Sequence, residues 1–447
     1  MDDLSSQTRK KVFFKTFGCR SNIYDTQVMM SSLKNYDITQ DESKADIIVL
    51  NSCTVTNRAD KECKSYARTQ SELGKKVLFT GCGVKMQGKE LYDKNLTFSV
   101  FSHSYKEDID SILAKDRIFL DTNSRKLDTT LLPAMIGKVK GFIKIQEGCN
   151  FKCSYCIIPY VRGVARSFKH DFLLEQASLL AKSGVKELVL TGTNIGSYGL
   201  DTGTHIATLI SDLASIEGIK RIRLGSLEPS QIDSKFIDVL SNPKLERHLH
   251  IALQHTSEKM LRIMNRKNTV EHDLELFLEL ERLGFFLGTD YIVGHVGESK
   301  EIFNEALTNL EKLPLTHIHP FIYSPKTGTK SATNLASLEL VPKIESKARL
   351  HLIQDLVREK NYQKRLALKE KSTPLNVLIE SVKSTKEATG FQDASDFKEA
   401  IGFQEAIGFD EYFNKVVITS KDLSSSLKGS FLKVADYKVK PLCNLAL

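Results

Sequence analysis

No stretch of this 447-residue chain approaches the ~20 apolar residues that a membrane-crossing helix needs. The opening MDDLSSQTRKK has charge with no apolar segment behind it, unlike a secretory leader. A cytoplasmic protein with no membrane partner is therefore the expectation. Cysteine is also scarce: eight residues in a chain of this size do not suit the disulfide framework of a small secreted domain, and they argue for metal or redox chemistry. What is present is an ordinary globular composition, 41% hydrophobic and 26% charged, long enough for two or three domains. The formal charge of +8 fits a polyanionic partner without specifying one.

A further absence is local. Cys149, Cys153 and Cys156 form C-x3-C-x2-C within GFIKIQEGCNFKCSYCIIPYVRG, directly after a strand-like run, and no fourth Cys or His lies nearby. Zinc usually takes four ligands from paired units, so three closely spaced thiols suit an iron–sulfur loop better than a zinc site. The fourth iron of a four-iron cluster would then lack a protein ligand. This pattern resembles the radical-SAM superfamily, in which that open iron binds S-adenosylmethionine and passes it one electron. The flanks QEGCN and CIIPYVRG, with Tyr155 one position before the last cysteine, are similar to the methylthiotransferase family.

Upstream, three apolar runs, Val12–Phe17, Asp46–Asn51 and Lys76–Thr80, alternate with helical stretches and predict a small α/β domain with a parallel sheet. Cys19, Cys53 and Cys82 each sit just past the end of one run. The carboxyl ends of parallel strands share one edge, so the three thiols should converge there and could hold a second cluster. The competing reading, small buried thiols, is what most free cysteines are. Resemblance to the methylthiotransferases implies that these three hold an auxiliary four-iron cluster, with Asn22 and Asp25 near it. Cys63, in a helical segment, and Cys443 read as spare thiols.

After the cysteine loop, strand candidates at 142–145, 187–192, 221–226, 249–253, 288–294 and 317–324 alternate with helical stretches. That order predicts right-handed βαβ units and a parallel sheet, with function at the carboxyl ends of the strands. About 210 residues suit an incomplete barrel better than the ~250 of a full one. The fold class expected is thus α/β: a small N-terminal parallel-sheet domain (10–135), a partial (β/α)6 radical-SAM barrel ending in a basic helix (136–370), and a small C-terminal β-domain (371–447). The last stands where the family has its RNA-binding TRAM barrel. Family resemblance further implies cofactor contacts at Tyr155, Thr191, Gly192, Asn194, Arg223, Ser226, Gln254 and Gly294. Two departures from the family runs, Ala252-Leu253-Gln254-His255-Thr256 and His295-Val296-Gly297-Glu298, introduce His255 and His295, which read as satisfied loop histidines.

Nine Lys and Arg crowd 342–371 at helical spacing. They read either as a solvated face or as a surface that attracts phosphates. Farther on, EATGFQ, EAIGFQ and EAIGFD repeat within 387–410, and this low-complexity insertion is expected to be a surface loop.

Taken together, the two triads resemble a tRNA methylthiotransferase. In that family S-adenosylmethionine cleaved at the 149/153/156 cluster yields a 5′-deoxyadenosyl radical, which takes hydrogen from C2 of a modified adenosine. The cluster at 19/53/82 supplies sulfur carrying a methyl group from a second S-adenosylmethionine. The motifs look most like the branch acting on N6-threonylcarbamoyladenosine at position 37, in the anticodon loop of tRNAs reading ANN codons. The alternatives are the branch acting on N6-isopentenyladenosine, the branch acting on an aspartate of ribosomal protein S12, and a non-enzyme, either an electron carrier or an iron–sulfur RNA-binding protein. A flavodoxin or ferredoxin is the electron donor that the resemblance implies.

Overall fold

The computed structural model describes residues 9–122, 126–333, 338–384 and 404–446. Strands β1 (Lys11–Thr16), β2 (Asp37–Ile38), β3 (Ile47–Ser52), β4 (Lys76–Gly81), β5 (Ser99–Phe101) and β6 (Phe119–Leu120) form one parallel sheet in the order β2-β1-β3-β4-β5-β6. Every residue of β3 is buried, as its unbroken apolar run requires of a strand covered on both faces. The strands that precede Cys19, Cys53 and Cys82 are β1, β3 and β4, which are neighbours. Their carboxyl ends therefore form one edge.

The second body begins at β7 (Gly141–Lys144). Two short strands, β8 (Gln146–Glu147) and β9 (Arg166–Ser167), pair antiparallel and pinch the base of the cysteine loop between them. Then come β10 (Glu187–Thr191), β11 (Arg221–Leu224), β12 (His248–His250), β13 (Phe286–Val293) and β14 (Leu315–Ile322). These make two parallel sheets, β11-β10-β7 and β12-β13-β14. Parallel bridges Ile222–Leu245 and Leu227–Ile251 stitch them together, so the six strands follow an arc in chain order. That is the open barrel expected from the alternation of elements, and its core is one continuous cluster that includes Ile143, Leu190, Leu249, Leu287 and Leu315.

The helix Lys343–Glu370 crosses from the barrel to the last sheet. Most of its basic residues are engaged with the protein. Arg349 pairs with Glu298 at 2.8 Å, and Lys364 with Glu281 at 2.8 Å. Lys360 donates to the carbonyls of Glu311 and Leu313 at a helix end, where such cations are favoured. Arg365 is 1% exposed and donates to the carbonyls of Lys440, Pro441 and Cys443. The helix is a strut more than a bare cationic face.

The C-terminal sheet runs β18-β15-β16-β17-β20-β19, with β15 (Leu375–Ser384), β16 (Gln404–Phe409), β17 (Lys415–Ser420), β18 (Phe431–Val434), β19 (Lys438–Lys440) and β20 (Cys443–Ala446). Here one expectation is corrected. The last repeat, EAIGFD, is not surface loop; all but its final residue lie in β16, between β15 and β17. Ala406 and Gly408 are buried, and a Cβ at Gly408 would lie 2.2 Å from the Leu378 carbonyl oxygen. Small residues at alternate positions let two strands close together, a signal that the repetition disguised. Residues 385–403, which hold the remainder of the repeats, lie outside the described residues.

Between β16 and β17, the Asp410 carboxylate accepts from the amides of Tyr412 (3.0 Å) and Asn414 (2.7 Å). This Asx turn puts Phe413 at φ +66°, in the left-handed region. Its ring enters the amino-terminal mouth of the barrel, 5.2 Å from the His248 ring and 4.7 Å from the Arg223 guanidinium.

A candidate active site between two cysteine triads

Cys19, Cys53 and Cys82 lie together at the edge of the first sheet, although 63 residues of sequence separate the first from the last. The approach is close enough that a Cβ at Gly18 would sit 2.9 Å from the Cys53 sulfur, and Gly18 has φ +98°. Cys53 and Cys82 are 8% and 5% exposed, whereas Cys19 is open to solvent. Cys63 is fully buried beneath them, and its Sγ donates weakly to the Cys53 carbonyl at 3.8 Å; Cys443 is buried in the C-terminal sheet.

The second triad occupies the loop between β8 and β9. Gly148, at φ +80°, starts it, and a Cβ there would fall 1.9 Å from the Val164 carbonyl oxygen. The loop is clamped from beneath. Ser154 N donates to the Met264 carbonyl at 2.9 Å, Ser154 Oγ to the Ile263 carbonyl at 2.8 Å, and Ser331 Oγ to Ser154 Oγ at 2.9 Å. His295 Nε2 holds that Ser331 hydroxyl at 2.9 Å, and His255 Nε2 meets Glu298 at 2.9 Å. Both histidines are satisfied, as expected, and His295 braces the loop through Ser331.

Donors aim at the sulfurs. Arg162 Nε lies 3.1 Å from Cys82 Sγ, Arg266 Nη1 lies 3.7 Å from Cys153 Sγ, and Asn194 Nδ2 lies 3.9 Å from Cys149 Sγ. Burial pushes the Cys82 thiol up to about 11 and the Cys156 thiol up to about 12. These thiols ionise only with a nearby positive centre, which iron supplies, and N–H donors on sulfur suit the anionic cluster that results. The residues therefore fit a four-iron cluster at 149/153/156, and the same chemistry is available at 19/53/82.

Arg162 sits in a buried network that joins the two bodies. Its Nη1 is 2.9 Å from Asp25 Oδ2 and 2.9 Å from Glu147 Oε1. Lys144 reaches Asp25 (2.7 Å), Asp128 (2.9 Å) and Glu147 (3.2 Å), and Lys106 reaches Asp128 at 2.6 Å. Three cations thus face three carboxylates. Burial alone would raise the Asp25 carboxyl, but Lys106, Lys144 and Arg162 outweigh it and hold it well below the usual range. Burial keeps the adjoining His103 neutral, down at about 3.

Two cavities open at the carboxyl ends of the barrel strands. One, of about 280 Å3, is lined by Cys19, Arg20, Thr191, Ser226, His250 and Asp290, among others. The second, of about 360 Å3, is lined by Cys19, Tyr155, Cys156, Gln254, Asp290 and Phe321, among others. They share Cys19 and Asp290, so a cysteine from each triad borders one space. Of the residues expected to contact cofactor, Thr191, Gly192, Arg223 and Ser226 line the first cavity, and Tyr155 and Gln254 the second. Asn194 stands at Cys149. The amide of Gly294 is taken up by Glu298, and a Cβ there would lie 2.2 Å from Ser346 Oγ. Arg223 is 1% exposed and held by Glu187 at 3.1 Å and by Glu246.

Sequence reading passed over four histidines. His248 and His250 alternate on β12, and His317 and His319 on β14, flanking Gly288 and Asp290 of β13. His250 Nε2 is 3.2 Å from Asp290 Oδ1, and His319 Nδ1 is 3.6 Å from the same oxygen. Gly288 gives the rings room, since a Cβ there would come 2.8 Å from His248 Nε2. The signal was the period-two H-x-H in both HLHIAL and HIHPFIYS, which puts each pair on one face of its strand. Arg162 and Arg266 carried no spacing signal of their own.

Residues 11–102 match the family described as Uncharacterized protein family UPF0004, and residues 143–310 match the Radical SAM superfamily. A Helicobacter pylori (strain J99) protein, provisionally named a methylthiotransferase with no substrate specified, is 49% identical, covering 98% of this chain and 100% of that one. The threonylcarbamoyladenosine tRNA methylthiotransferase MtaB of Aquifex aeolicus is 33% identical, over 79% of this chain and 89% of its own. A tRNA-2-methylthio-N(6)-dimethylallyladenosine synthase of Thermodesulfovibrio yellowstonii is 32% identical, over 72% and 78%. The solved radical S-adenosylmethionine methyltransferase TsrM of Kitasatospora setae, at 14% identity and a TM-score of 0.54 over 73% of this chain and 75% of that one, shares the fold.

Proposed function

Since this chain belongs to the radical-SAM methylthiotransferases, enzymes that transfer sulfur-containing groups, we propose that it inserts a methylthio group at C2 of N6-threonylcarbamoyladenosine at position 37 of tRNA. One observation carries the reading: Cys156 and Cys19, one from each triad, border the same cavity. Chemistry that joins a radical source to a sulfur source at one carbon needs both within reach of one space.

The family implies a [4Fe-4S] cluster and S-adenosylmethionine, and together these supply a one-electron route to a C–H bond that acid–base chemistry does not activate. Cys149, Cys153 and Cys156 would hold that cluster, and Cys19, Cys53 and Cys82 a second one. The chain's own part is positioning. Tyr155 and Gln254 border the space beside Cys156, Asn194 supports Cys149, and Arg266 supports Cys153. Arg162 offers its N–H to the Cys82 sulfur, which favours the ionised ligand there. Ile157, Ile158, Ile292 and Phe321 give the second cavity an apolar wall that offers water few partners.

A tRNA carrying dimethylallyladenosine is the second reading. It is supported by the Thermodesulfovibrio relative and by that same apolar wall. The anticodon loop as the docking site, and a flavodoxin or ferredoxin as the electron donor, belong to both readings. The test is mass spectrometry of digested tRNA after anaerobic incubation with reconstituted protein, reductant, sulfide and S-adenosylmethionine. A methylthio group on threonylcarbamoyladenosine is the expected product. The same group on dimethylallyladenosine would move the substrate, and cofactor cleavage without any tRNA product would turn attention to ribosomal protein S12.

A further inference from the structure

The arginines that reach the sulfurs or line the barrel interior are mostly committed. Arg162, Arg221, Arg223 and Arg266 are each ion-paired with a buried carboxylate. Arg20, beside Cys19 at the start of the helix Arg20–Ser31, lines the first cavity, yet among the described residues its guanidinium makes no hydrogen bond and no ion pair. Glu246, Glu187 and Glu380 attract its charge without reaching hydrogen-bond distance. A partly buried guanidinium whose donors are open suits a planar anion, above all a carboxylate gripped by two N–H groups.

The opposite wall has the complementary chemistry. Asp290 is an acceptor, with His250 Nε2 at 3.2 Å and His319 Nδ1 at 3.6 Å from one oxygen and Ser226 Oγ 3.5 Å from the other. A cavity of about 280 Å3 with one open cation on one side and acceptors on the other matches a small group that has a carboxylate as well as N–H and O–H donors. The threonylcarbamoyl substituent has all three. A dimethylallyl group has none, and in this cavity it would leave Arg20 without a partner. Sites built around polar partners discriminate strongly for that reason.

We propose that the guanidinium of Arg20 binds the carboxylate of the N6-threonylcarbamoyl group, with the His250–Asp290–His319 cluster taking its N–H and hydroxyl donors. The first cavity is then the pocket that selects the modified base. This rests on the substrate reading given above.

The test is equilibrium binding of oxidised holoenzyme, which turns over nothing, to one tRNA in three forms at position 37: unmodified, threonylcarbamoylated, and threonylcarbamoylated with its carboxylate converted to the amide. Wild type should prefer the carboxylate form over the amide. Arg20→Gln should lose that preference by roughly 10- to 100-fold, the weight of one charge-assisted bidentate contact. Arg20→Lys should recover part of it, and iron content should be unchanged in both variants. Amide and carboxylate forms should bind Arg20→Gln equally. A carboxylate preference that survives in Arg20→Gln overturns the proposal and leaves the substrate reading intact. Loss of iron along with the preference in both variants assigns Arg20 to the cluster site and also overturns it. A wild type that binds neither threonylcarbamoylated form better than the unmodified tRNA defeats the substrate reading itself.

Discussion

Arg162 Nε lies 3.1 Å from Cys82 Sγ, so the segment that follows one cysteine triad grips a sulfur of the other. The same guanidinium pairs with Asp25 from the first body and Glu147 from the second. Arg162→Met would leave two buried carboxylates one cation short. Breaking such a network from one side costs about 3–5 kcal/mol. Chemical denaturation should register that loss, with a smaller one for Arg162→Lys, which keeps the charge without the fork. A loss below ~1 kcal/mol for the Met variant would mean that the network does not join the bodies.

The two triads should separate functionally. Cys153→Ala is expected to abolish reductive cleavage of S-adenosylmethionine. Cys53→Ala should leave cleavage intact and stop methylthio insertion, with roughly half the iron lost in either case. Methylthio product from the Cys53 variant would show that the 19/53/82 triad has another purpose.

Gly148→Ala tests the base of the loop. An added Cβ meets the Val164 carbonyl at 1.9 Å, and φ is +80°, so the turn that presents Cys149 must shift. The expected result is poor iron loading at this triad, seen as absorbance lost on reconstitution, with little change at the N-terminal one. Full loading of the alanine variant would show that the turn at Gly148 does not govern iron binding.

The turn that carries Phe413 should contribute less stability as pH rises from about 3.8 to about 7. Burial raises the Asp410 carboxyl from 3.8 to about 7, with Glu411 adding to it. An acid with a higher pKa folded than unfolded binds a proton on folding between the two values. Its contribution is therefore complete below about pH 3.8, declines above it, and is gone beyond about pH 7. Replacing wild type with Asp410→Asn, which still accepts from the two amides, should flatten the decline by up to ~4 kcal/mol across that window. Parallel pH profiles for the two proteins would contradict the assignment.

Much of this was legible beforehand because the local code and the tertiary fold agree. The six barrel strands emerge at the runs that alternate with helical stretches. Strand β10, buried along its whole length, reads as an apolar stretch, whereas β11, β12 and β14 carry Arg or His at alternate positions. The thiols after β1, β3 and β4 meet because adjacent parallel strands end at one edge. Other parts depended on partners far away in sequence. Nothing local marks Arg162 as a ligand-supporting residue, because its meaning comes from Asp25 and Cys82, 137 and 80 positions away. The basic helix looked like a free surface because the carbonyls and carboxylates that engage it come from the helix before β13, the β13–β14 connection and the last sheet. In β16, repetition masked a strand whose small residues are dictated by the backbone across from it.

Phe413 gives the barrel a stopper. With its amino-terminal mouth filled by a ring from the last sheet, the interior is a blind alley whose traffic must use the carboxyl-end rim beside Cys19 and Cys156. Molecules that enter first are the deepest, and they leave last. A bulky polynucleotide lying across that rim would therefore trap whatever small molecules preceded it, and spent fragments would depart only after it lifts. On the proposed polynucleotide substrate, this arrangement would favour release of the large product ahead of the small ones.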